Sequence, residues 1–255
     1  MKITKFYQKK INQNYVMNIL DARALFEQYL NTDINNTLSE SANYIWFRDS
    51  LKAQHRAMTE RGYKGYTKTP VLNRPVINAL RDEPEFHINL QRPCLKKEWY
   101  NKELKKYKLK FGDIIRPTIN GIHGFAWHRI SNTHNGLSLE LPANENVKYY
   151  LILMSNLMLQ IKALIKDRAN GNMWWYCRPF QGTLINLLGH YIHLFVIGHP
   201  FEKVNFSLCM MQVNHILDKT LGKSVYHEYL DFKCFMNDTN TIIDEFSQMV
   251  RKSRR

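Results

Sequence analysis

Residues 199–205 read His199-Pro200-Phe201-Glu202-Lys203-Val204-Asn205. They follow an apolar run, 183–198, and precede a segment of helical pattern, 206–221. Proline pushes the residue before it out of the α region, so His199 stands at the end of a helix and partly free of it. The next helix begins near Asn205 or Phe206. Its first amides lack partners within the helix and carry partial positive charge, which suits a phosphate. Lys203 adds a full positive charge in the same loop, and Phe201 anchors the loop in the core. A histidine so placed can take the proton of a hydroxyl that approaches a bound phosphate. The chemistry in view is phosphate-group transfer with His199 as general base. The plainer reading of the same residues is a helix-ending histidine, a solvated lysine and an asparagine that caps the helix starting at Phe206.

The elements that must position this loop are mostly helical. Ile19, Leu20, Ala24, Leu25, Tyr29 and Leu30 recur at helical spacing, and residues 39–58 form a second helical segment with a cap at Thr37 or Ser39. Residues 62–95 change character. Gly62, Gly65, Pro70, Pro75, Pro84 and Pro93 punctuate a loop-rich connection, and Tyr63, Tyr66, Val71, Val76, Ile77 and Leu80 give it apolar anchors. Turn residues and an alternation of Phe125, Trp127 and Ile130 within residues 120–135 predict a β-hairpin. A helix from about Asn144 to Lys166 carries an apolar stripe that includes Val147, Leu151, Met154, Met158 and Ile161, and Asn170-Gly171 ends it. The run 183–197 turns Leu184, Leu188, Tyr191 and Phe195 to one face.

Composition bounds the partners. The 255 residues are 44% hydrophobic and 13% aromatic, which describes a folded protein and excludes a disordered one. A net charge of +14 favours anionic partners, such as nucleotides, acidic protein surfaces or nucleic acid. Residues 96–110 hold seven lysines and two glutamates beside Trp99, Tyr100 and Tyr107. Such a run can contact nucleic acid, but it reads better as a solvated helix face. Arg251, Lys252, Arg254 and Arg255 read as a frayed tail. Cys94, Cys177, Cys209 and Cys234 are widely spaced, with no CxxC pair, and suit a reducing, cytoplasmic or intracellular setting. The low-charge stretch 183–201 has the length of a membrane span. Its Asn186, His190, His193 and His199 point instead to a buried helix entering a site, so no membrane span is expected. His190 and His193 lie three apart, as metal ligands can, but no third ligand stands at a recognisable spacing, and no metal site is expected from them.

The order of these segments carries a resemblance. HPFEKVN resembles the opening of the Fic-family active loop, His-Pro-Phe-x-Asp/Glu-Gly-Asn-Gly-Arg. Phe195-Val196-Ile197-Gly198 resembles the end of the helix that delivers the histidine. Gly121 to Arg129, followed by LELPANENV at 139–147, resembles the target-binding hairpin and its proline-containing link to the next helix. The likeness covers roughly residues 111–222. It implies a mainly α fold, a Fic-like helical bundle with a small β-hairpin flap. The implied division is an N-terminal helical and loop-rich region at 1–110, a Fic-like core at 111–222 and a C-terminal helical tail at 223–255. The implied activity moves a nucleotide monophosphate, or another phosphate-containing group, from a donor such as ATP or a nucleotide sugar onto a protein hydroxyl. His199 and Asn205 would be the catalytic residues, with Pro200 and Phe201 as loop anchors. A flap including Gly121, Gly124, Trp127 and Asn135 would align the target by strand addition. Family members often act as toxins or as effectors delivered into another cell, and the resemblance extends that expectation here.

The departures fall inside the loop. Lys203 stands where the family has its metal-holding acid, so ordinary Mg²⁺ coordination is not expected, although Lys203 can meet phosphate as a point charge. Val204 and Phe206 replace two glycines, and Ser207 replaces the arginine. Phosphate charge would then fall to Lys203, Ser207, Arg129 or Arg178. Three readings stand: a divergent Fic-like transferase, a Fic-fold pseudoenzyme that binds a protein partner, and an unrelated basic helical protein that binds nucleic acid.

Overall fold

The computed structural model describes residues 13–32, 40–60, 77–86, 91–94, 114–115, 128–133, 136–169, 178–225 and 230–253. Among these the protein is mainly helical. The helices are α1 (Gln13–Asn31), α2 (Glu40–Thr59), α3 (Asn144–Ala169), α4 (Arg178–Gly198), α5 (Asn205–Leu221), α6 (Leu230–Met236) and α7 (Thr239–Lys252). Four short strands, described by backbone alone, are β1 (Gln91–Cys94), β2 (Ile114–Ile115), β3 (His128–Thr133) and β4 (Gly136–Glu140). They lie in the order β1-β4-β3-β2, with Ile130 opposite Leu139 and Ile114 opposite Arg129. Most of the hairpin expected at 120–135 lies outside the described residues, including Gly121, Gly124, Trp127 and Asn135.

Helix α4 is the axis of the fold. It packs against α3, α5, α6 and α7. After Arg178 it contains no Asp, Glu, Lys or Arg, and residues 191–198, apolar but for His193, are buried on every side. By length and composition, Pro179–Gly198 could also cross a membrane, yet here it is the central helix of the bundle. Two glycines let neighbours come close. A Cβ on Gly189 would stand 2.8 Å from Ile243 of α7, and one on Gly198 would stand 2.8 Å from Tyr150 of α3. His193 is fully buried and pins the C-terminal helices. Its Nε2 donates to the Cys234 carbonyl at 2.9 Å, and its Nδ1 lies 2.9 Å from the Thr239 hydroxyl. Both ring nitrogens are thus engaged in packing α4 against α6 and α7.

Among the described residues, one hydrophobic core cluster joins the seven helices. It runs from Ala22 and Phe26 of α1, through Phe47, Leu51 and Met58 of α2 and Leu80, to Ile242, Phe246 and Val250 of α7. The segment expected to end in a frayed tail is helical through Lys252, with Arg251 and Lys252 in the last turn of α7, where basic residues suit the negative helix end.

Candidate functional site

Helix α4 runs unbroken to Gly198, and the His199 amide still donates to the Phe195 carbonyl at 3.0 Å. Pro200 has no amide to continue the ladder. The chain turns at His199, with φ +45°, crosses Phe201 to Lys203, and turns again at Val204, with φ +68°, into α5. Among the described residues, these two are the non-glycine residues with positive φ. Each left-handed L-residue costs roughly 1–2 kcal/mol, and a β-branched valine is a clear outlier there.

Such a loop persists only where its surroundings over-determine it, and here almost every backbone carbonyl has a named donor. Arg81 Nη1 donates to the Gly198 carbonyl at 3.2 Å and to the His199 carbonyl at 3.3 Å. The Arg81 amide donates to the Pro200 carbonyl at 2.9 Å. The Asn205 side chain accepts from the Phe201 amide at 2.9 Å and donates to the Phe201 carbonyl at 2.8 Å. His55 Nε2 donates to the Lys203 carbonyl at 3.1 Å, while its Nδ1 lies 3.1 Å from Asn78 Oδ1. The His55 ring also stacks on Phe201, with centroids 3.9 Å apart and planes 5° from parallel. Glu202 is buried and accepts from the Ile77 amide at 3.2 Å. The loop therefore rests on α2 and on residues 77–86.

The predicted site residues fall out as follows. His199 is buried, with 8% of its surface exposed. Asn205 is buried and is the first residue of α5. It does not cap a helix beginning at Phe206. The cap position is Val204, which makes no side-chain cap bond, and the Asn205 amide reaches back to both polar groups of Phe201. Pro200 and Phe201 are buried, Lys203 is half-buried, and Ser207 lies in the first turn of α5. Arg129 sits on β3 and Arg178 opens α4, and the side chains of both lie outside the described residues. Among the described residues no group of three histidine, cysteine or acidic side chains converges as metal ligands would.

Sequence reasoning missed the braces. Arg81, His55, Asn78 and the Ile77 amide surround the loop, yet no local periodicity relates positions 55 or 81 to position 200. Burial pushes the His55 imidazole down to about 4, against the opposing pull of the Lys203 carbonyl and Asn78. Burial also lowers the Arg81 guanidinium to about 10, so it stays charged at neutral pH. A cleft of about 610 Å³ opens beside this bracing face, lined by Lys52, Arg56, Asn78 and Glu83 among others, and none of residues 199–207 lines it. Chemically, the loop offers an imidazole at a helix terminus, a lysine, and the positive end of α5 within one rigid turn.

Compared with family models, with curated proteins and with solved structures, the chain matches none of them.

Proposed function

We propose that this protein is a divergent Fic-like transferase that moves a nucleotide monophosphate, or another phosphate-containing group, onto a protein hydroxyl. The observation that carries this reading is the backbone of Val204. The resembling motif has glycine at that position, and the chain here adopts φ +68°, a conformation that glycine takes without strain and valine does not. The loop thus keeps a glycine's shape without its residue, between a helix that ends at Gly198 and a helix that starts at Asn205.

In the proposed reaction His199 takes the proton of the target hydroxyl as its oxygen bonds to phosphorus. The bond from phosphorus to the leaving phosphate breaks, and the proton stays on His199 until it passes to solvent. Lys203 and the N-terminus of α5 balance the phosphate charge, and the His-loop replaces the usual acid-held metal with this lysine. Asn205 acts by holding the loop. The protein acts inside a cell, on a protein partner aligned by the β3–β4 side of the fold.

A second reading, a binding module without catalysis, draws on the burial of His199 and on the use of both Asn205 amide atoms within the loop. The two separate by experiment. The protein and His199→Ala are each incubated with cell lysate and a panel of labelled nucleotides and nucleotide sugars. Label passed to protein by the wild type and lost in the variant is the expected result. No transfer, together with no nucleotide heat in calorimetry, would leave the binding module. Steeply salt-dependent binding to random DNA would favour a nucleic-acid partner instead.

A further inference from the structure

We propose that Arg81 is the positioning residue for His199, a clamp that fixes the peptides on both sides of the histidine and ties them to the start of α3. The clamp lies outside the 111–222 stretch that carries the resemblance. Arg81 is 4% exposed. It holds three successive carbonyls, those of Gly198 and His199 through Nη1 and that of Pro200 through its amide. Its Nε donates to Asn144 Oδ1 at 3.2 Å, and its Nη2 donates to the Pro142 carbonyl. These five acceptors are neutral oxygens, and four are backbone carbonyls. The guanidinium therefore joins two chain segments by geometry, with the partial negative charge at the C-terminus of α4 as its electrostatic complement.

Arginine suits this task and lysine does not. A guanidinium spreads five donors over a rigid plane, so one side chain can reach the end of α4 and the start of α3 at once. An ammonium has three donors on one atom and cannot span both. The consequence is directional control of His199. Its φ of +45° needs an external hold, and Arg81 takes the carbonyls before it, on it and after it. Pro142 and Asn144 lie just after β4, so the clamp also sets the His-loop in register with the strand side.

What the clamp serves rests on the reading of His199 as the base, whereas the clamp itself is tested without it. The full-length protein, Arg81→Lys, Arg81→Ala and Asn144→Ala are compared by histidine-ring NMR, with His199→Ala assigning the His199 signals, and by the label-transfer assay. Both Arg81 variants are expected to move the His199 ring resonances. Their kcat should fall about 10- to 100-fold with the donor KM little changed, as misplacement of a reacting group does. Guanidinium ion added to Arg81→Ala should recover part of that loss. Wild-type His199 resonances in Arg81→Lys would overturn the clamp. If the Arg81 variants do not fold, Asn144→Ala decides, because it removes one anchor and leaves the arginine, and unshifted His199 signals there overturn the proposal. If the wild type transfers no label, shifted resonances keep the clamp while the transferase reading fails.

Discussion

Val204 is held against its own preference. Its side chain is 9% exposed, so its burial contributes roughly 2 kcal/mol, while its left-handed backbone costs about 1–2 kcal/mol. The two nearly cancel, which is how a β-branched residue can occupy a turn built for glycine. The balance predicts an inverted order of substitutions. At an ordinary position alanine is more stable than glycine by about 0.5–1 kcal/mol. At 204, Val204→Ala loses burial and keeps the strain, while Val204→Gly loses slightly more burial and sheds the strain. Val204→Gly should therefore be at least as stable as Val204→Ala in urea unfolding. An alanine variant more stable by about 1 kcal/mol would mean that residue 204 does not turn left-handed, and the glycine-shaped loop would lose its support.

Helix α2 meets the loop through His55, and that contact titrates. His55 is fully buried and stacked on Phe201, and burial pushes its imidazole down to about 4, below the ordinary value of 6.5. Above pH 6.5 both folded and unfolded chains hold it neutral. As pH falls from about 6.5 to 4 the unfolded chain binds a proton that the folded chain refuses, so stability is lost across that window. The loss approaches about 3 kcal/mol by pH 4. His55→Phe keeps a ring against Phe201 and cannot titrate, so its unfolding free energy should depend less on pH between 4 and 6.5. Equal slopes for wild type and variant would sever the link between α2 and the loop. The elements themselves were legible in the sequence. Periodicity placed α2, α3 and α5 within a few residues of their ends, and Pro200 marked the end of α4. The start of α4 at Arg178 is obscured because Pro179 and Gly182 punctuate its first turns, although Phe180, four residues before Leu184, already belongs to the buried face. The candidate loop was legible as His199, Phe201 and Asn205. Its bracing was not, because His55 reads as one more polar residue on a helix and Arg81 as a charge in an acidic turn. Only tertiary folding brings them to residues 198–203.

At the scale of the molecule, α1, α2 and Leu80 pack into the same core as the His-loop. Phe26, Tyr29, Phe47, Leu51, Met58 and Leu80 are each 3% exposed or less and join the core cluster that holds α3, α4 and α5. Burial of six such side chains contributes on the order of 10 kcal/mol, comparable with the roughly 5–15 kcal/mol net stability of a whole domain. Polar ties run the same way. Arg23 Nε donates to His215 Nδ1 at 2.6 Å, and Glu27 accepts from His215 Nε2 and from Lys219, so α1 is fastened to α5. These partly exposed pairs add specificity more than energy. A fragment of residues 111–255 would expose the inner faces of α3, α4 and α5 and leave the carbonyls of residues 198–200 and 203 without Arg81 and His55. It should show no cooperative thermal transition by circular dichroism and should bind a hydrophobic dye, as a loosely packed state does. A sharp melt and dispersed amide signals from that fragment would make 111–255 an independent domain. The N-terminal helices would then be an attachment to the His-loop, where the packing described here makes them its foundation.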